Sequence, residues 1–112
     1  MKSYDYDCPI ESTLAVIGGK WKAIIIYYLI EGDKRFKDLM ELLETVSSRM
    51  LAKQLQELEI DGIIQRSVFA ETPPKVEYSL TAYGETLIPV IHVICKWGEV
   101  RLEMTGKTSI YN

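Results

Sequence analysis

The chain has 112 residues, 47% of them hydrophobic and 26% charged, with thirteen Lys and Arg against sixteen Asp and Glu for a formal net charge of −3. That is one domain's worth of chain, able to bury about 60–70% of its unfolded surface, and the composition excludes disordered and solenoid architectures. Net acidity counts against a surface that binds nucleic acid everywhere, but the charges balance between Lys20 and Lys75, which leaves room for a local basic face.

The longest apolar run, Ala23 to Ile30, is far shorter than the ~20 residues that span a bilayer. The opening MKSYDYDCPIES is polar and acidic, unlike a secretory signal. The expectation is one domain over residues 1–112, cytoplasmic and without a membrane segment. Cys8 and Cys95 are far apart in sequence and are expected as thiols in a reducing compartment.

Cys8-Pro9 opens the first element: proline suits the first helical position, and Ile10, Leu14 and Ile17 follow at helical spacing until Gly18-Gly19. Lys20 to Ile30 is ambiguous, since its isoleucines and tyrosines have strand propensity while its length and all-round apolarity fit a buried helix; helix is the reading taken. After Gly32-Asp33, the residues Phe36, Leu39, Met40, Leu42 and Leu43 predict a short amphipathic helix. Ser47 reads as the N-cap of the next helix, where Leu51, Leu55 and Leu58 form one apolar stripe. Asp61-Gly62 ends it.

In SVFAETPPKVEYSL, residues 67–80, Val68 and Ala70 fall at period two, as do Val76, Tyr78 and Leu80. Both flanks therefore predict strands with one face toward the core. Pro73-Pro74 cannot donate to a ladder, so Glu71 to Lys75 should stand clear as a stiff tip. Thr81 is expected to cap a last helix carrying Leu87, Ile88, Val90, Ile91, Ile94, Cys95, Trp97 and Val100, with Pro89 either kinking it or delaying its start. That apolar face is more than so small a domain covers alone.

The predicted fold is mostly α with a small β-hairpin (α+β). It is a winged helix-turn-helix with Ser47 to Ile60 as recognition helix and Glu71 to Lys75 as wing tip. The motifs Cys8-Pro9-Ile10-Glu11, Ile17-Gly18-Gly19-Lys20-Trp21, Arg35-Phe36-Lys37-Asp38-Leu39, Leu55 to Ile64 and Pro73 to Thr81 resemble the HxlR family of MarR-related bacterial winged-helix transcriptional regulators, from about Cys8 to Glu99. The resemblance implies a homodimer whose first and last helices form the subunit interface, and whose recognition helices enter successive major grooves of double-stranded DNA at an inverted-repeat operator. It also implies that the wing lies on the backbone or minor groove with Lys75 at a phosphate. Many members carry a basic residue where this chain has Gln56.

Arg49 and Lys53 lie one turn apart, away from the leucines, where arginine can read guanine through a bidentate pair. Ser47 caps the helix, and Ser48 and Gln56 can reach backbone or base edges. The competing reading is an ordinary solvated face, and a winged-helix module for protein–protein interaction is the competing function. Arg35 and Lys37 precede and open the helix before the recognition helix, in reach of phosphate. Arg66 is either a phosphate contact or the cross-strand partner of Glu77.

Cys8, at the amino end of a helix, is placed to favour thiolate, while Asp5, Asp7 and Glu11 oppose it. Some members of the family it resembles sense oxidants or electrophiles at this Cys-Pro position, so Cys8 is a redox-sensing candidate. Cys95 reads as a small core residue. His92 has no metal-ligand spacing around it, and no glycine loop or catalytic set appears, so neither an enzyme, a metal nor a cofactor is expected. Trp21, Trp97 and the tyrosines read as core or interface, with room for a small planar effector between dimer helices.

Overall fold

The computed structural model describes residues 7–110. The order is α1 (Pro9–Ile17), α2 (Lys22–Ile30), α3 (Phe36–Leu43), α4 (Ser48–Ile60), β1 (Ile64–Phe69), β2 (Lys75–Leu80), α5 (Ala82–Glu85) and α6 (Ile88–Met104). The architecture is mostly helical α+β, as the pattern predicts.

Pro9 stands in the first turn of α1, and the Gly18 N–H closes the helix on the Leu14 carbonyl at 2.8 Å. Gly19, at φ 86°, takes the left-handed turn open to glycine, and the axis swings 76° into α2. α2 resolves the strand–helix ambiguity in favour of helix, beginning at Lys22 rather than Lys20. Ile25, Ile26 and Leu29 are buried and Ile24, Tyr27 and Tyr28 half-buried, so burial on nearly every side overrides strand propensity. Burial also pushes the Tyr27 phenol above its ordinary 10.0, with the Glu31 carboxylate adding to the shift.

The Asp38 carboxylate accepts from the Arg35 backbone N–H at 2.9 Å at the start of α3. The Ser47 hydroxyl accepts from the Met50 N–H at 3.0 Å at the start of α4, so both helices carry the caps that their sequences offer. Leu39, Leu43 and Val46 join Leu51, Leu55, Leu58, Ile63 and Ile64 in the core beneath the α3–α4 turn.

β1 and β2 pair antiparallel from Ile64↔Leu80 to Phe69↔Lys75, and Lys34 adds an isolated bridge to Tyr78 on the other edge of β2. The expectation that Val68 and Ala70 face a core is not met. Val68 is 59% exposed and Ala70 exposed, because only the base of the hairpin, at Ile64, is fully buried and the rest projects beyond the helices.

Thr81 caps, but what it caps is the single turn α5, not the long helix. Its hydroxyl accepts from the Gly84 N–H at 2.9 Å and donates to the Gly62 carbonyl at 2.6 Å, tying α5 to the turn after α4. The long helix starts afresh at Ile88 with Pro89 in its first turn, where a missing N–H costs nothing, so proline delays the helix and does not kink it. Cys95 is half-buried beside a cavity of about 90 Å³ between α2 and α6, less enclosed than a core position.

Candidate nucleic-acid interface

With 3.6 residues per turn, Arg49, Lys53, Gln56 and Ile60 fall on the side of α4 opposite the Leu51–Leu55–Leu58 stripe, and all four are exposed. Ser47 and Ser48 are exposed at the amino end, whose first turn holds no acidic residue. Free amides, the positive end of the helix dipole and two cations thus share one outward edge, an arrangement that attracts phosphate. Arg49 and Gln56 carry the forked donors and the amide that match guanine and adenine edges. Ile60, 55% exposed, adds an apolar residue to the carboxyl end of this outward edge.

Arg35 and Lys37 are exposed at the start of α3. On the wing, strand register separates the two cations. Arg66 opposes Tyr78, so it lies on the face of Ile64, Val68, Val76 and Leu80; Lys75 opposes Phe69 and shares its face with Glu77. Glu77 therefore stands across from Ser67, and the Arg66–Glu77 pair is not formed because the two residues point to opposite faces. Arg66 is exposed, whereas the Lys75 ammonium lies 3.5 Å from the Glu77 carboxylate and 5.0 Å from the Phe69 ring centroid, with its side chain 27% exposed. The exposed tip is Glu71 to Pro74, with a cis peptide at Thr72–Pro73.

One contact that the sequence did not suggest fixes α4 to the body of the protein. Lys22 Nζ lies 2.7 Å from Glu57 Oε1, the lysine side chain being 10% exposed. Residues 35 apart in sequence carry no local signal of such a pairing.

Away from this edge, α6 presents Val93, Trp97, Val100 and Met104 at i, i+4, i+7 and i+11, with exposures of 68, 71, 54 and 77%. Ile10 and Leu14 of α1 are also exposed. Cys8 sits at the N-cap of α1, half-buried, and its side chain makes no capping hydrogen bond; Asp7 and Glu11 beside it are exposed, and Asp5 lies outside the described residues. Among the described residues no cluster of His, Cys, Asp and Glu is arranged to hold a metal, and no single helix is long and apolar enough to cross a membrane.

A capped helix pair joined by a tight turn, followed by a two-stranded wing, defines a winged helix-turn-helix module. The chain belongs to the HxlR-like helix-turn-helix family, whose model matches residues 16–105, and it is a transcriptional regulator of that type. It is 55% identical over 92 residues to YdeP of Bacillus subtilis, an uncharacterized HTH-type transcriptional regulator, covering 82% of this chain and 72% of that one. It superposes on the reduced form of the redox regulator HypR with a TM-score of 0.84 and 47% identity, covering 88% of this chain and 98% of that one. The reduced form of the transcriptional regulator YodB from B. subtilis gives a TM-score of 0.74 at 40% identity, covering 84% and 93%.

Proposed function

We propose that this regulator acts as a homodimer that reads an inverted repeat in double-stranded DNA, with α4 in the major groove. The observation that carries this reading is the outward edge of α4, where Ser47, Ser48, Arg49, Lys53 and Gln56 stand exposed at an acid-free helix start. Arg49 and Gln56 address base edges, Lys53 and the serines address phosphate, Arg35 and Lys37 contact the flanking backbone, and Arg66 with Lys75 serve the wing. The heptad-like seam of α6, with Ile10 and Leu14 of α1, supplies the self-complementary surface of a two-fold dimer. Two-fold symmetry then sets half-sites about 34–36 Å apart, or a multiple of that.

Selection of genomic fragments by the purified protein tests this directly. Wild type is expected to enrich one inverted repeat, and Arg49→Ala/Lys53→Ala to lose it. Uniform weak retention with little salt dependence would instead favour a protein-interaction module.

A second reading, that binding responds to thiol oxidants through Cys8, draws on its half-buried thiol at the head of α1, left out of the helix cap. The similarity to HypR, a redox regulator, favours it. Diamide is expected to abolish operator binding by wild type and to leave Cys8→Ser unaffected; equal sensitivity of the two would remove Cys8 from the account.

A further inference from the structure

Glu57 is the one carboxylate three or four residues from either Arg49 or Lys53 along α4, one turn beyond Lys53. In an isolated helix that spacing pairs Lys53 with Glu57. A carboxylate there neutralises the cation or repels an approaching phosphate. In the folded chain the Glu57 carboxylate is instead held 2.7 Å from the Lys22 ammonium, and exposed Lys53 takes part in neither of the ion pairs Lys22–Glu57 and Lys75–Glu77. The position of Lys22 has no local explanation. It opens α2, where a cation opposes the helix dipole, and its ammonium is largely removed from water, which is unfavourable without a partner. The Glu57 carboxylate 2.7 Å away supplies the counterion that both features call for.

We propose that Lys22 is a positioning residue for DNA binding: by engaging Glu57 from the side of α2, it leaves Lys53 free for phosphate. The proposal rests on the reading of α4 as the DNA helix. It differs from a purely structural link between α2 and α4 in one consequence. If Lys22 only holds the helices together, removing Glu57 as well does not help; if it restrains Glu57, removing Glu57 makes Lys22 dispensable. The Lys22 side chain is buried while that of Glu57 is 40% exposed, so Lys22→Met replaces the buried cation with an apolar chain and leaves Glu57 in contact with water, which makes the comparison practicable.

The experiment measures affinity for an operator duplex against salt by fluorescence anisotropy, for wild type, Lys22→Met, Glu57→Gln and the double variant, with circular dichroism confirming that each is folded. Lys22→Met is expected to weaken binding by about tenfold and to make the log–log salt slope shallower by about 0.9 per protomer, the value of one lost phosphate contact. Adding Glu57→Gln is expected to restore affinity to within about threefold of wild type and to recover the slope. Should Lys22→Met not fold, Lys22→Leu, which likewise offers Glu57 no donor, carries the same comparison. An unchanged slope, or a loss that Glu57→Gln deepens, overturns the proposal while leaving the DNA reading intact. Wild type that binds no DNA overturns both.

Discussion

The two lysines assigned to phosphate are not equivalent in this structure, and salt dependence separates them. Lys53 is exposed and outside the ion pairs; Lys75 is already 3.5 Å from Glu77 and stacked on Phe69. Each phosphate neutralised by a free cation contributes about −0.9 to the slope of log affinity against log salt on duplex DNA. In a dimer Lys53→Ala removes two such contacts and should flatten the slope by about 1.8. Lys75 has a carboxylate counterion of its own before DNA arrives, so Lys75→Ala should change the slope by well under half as much. Glu77→Gln should then steepen the wild-type slope by freeing Lys75. Anisotropy titrations at four or more salt concentrations measure all three. Equal flattening by Lys53→Ala and Lys75→Ala would refute the reasoning, because it would mean that the wing carboxylate offers no competition for the ammonium.

Trp97 is 71% exposed at the centre of the α6 seam, and in a two-fold interface any loss counts twice. Trp97→Glu is expected to weaken dimerisation by about 4 kcal/mol, read as a monomer in sedimentation equilibrium. Leu55 is 1% exposed beneath α4, and Leu55→Ala is expected to destabilise by about 2–5 kcal/mol in urea unfolding. At Gly84 an added Cβ would meet the Ile63 backbone carbonyl, which cannot rotate away, so Gly84→Ala is expected to lower stability by about 2 kcal/mol or more. Gly98→Ala, in α6 with nothing within 4 Å of the added atom, should be neutral or raise stability by up to about 1 kcal/mol.

Local chemistry was legible wherever one residue type decides it. Ser47 had to cap a helix, Leu51, Leu55 and Leu58 had to face inward, and Pro73-Pro74 had to leave the ladder. Thr81 was legible as a cap, but not which helix it caps, because the break at Thr86-Leu87 carries no strong stop signal; Pro89 marked the true start instead. The period-two pattern identified the hairpin but not its burial, since alternation says which residues share a face and not whether anything covers that face.

Most of the elements, the outward edge of α4, and an α6 seam too apolar for one copy to cover follow from periodicity and end signals within a single segment, whereas the helical state of α2 and the separate turn α5 do not. That Glu57 turns to Lys22, that Lys75 meets Glu77 and Phe69, and that Arg66 stands on the other face of the wing comes from the packed fold. Strand register and helix packing select those partners. Salt screens exposed charges beyond about 10 Å at 0.1 M ionic strength, so which ion meets which is settled by placement in space and not by order along the chain.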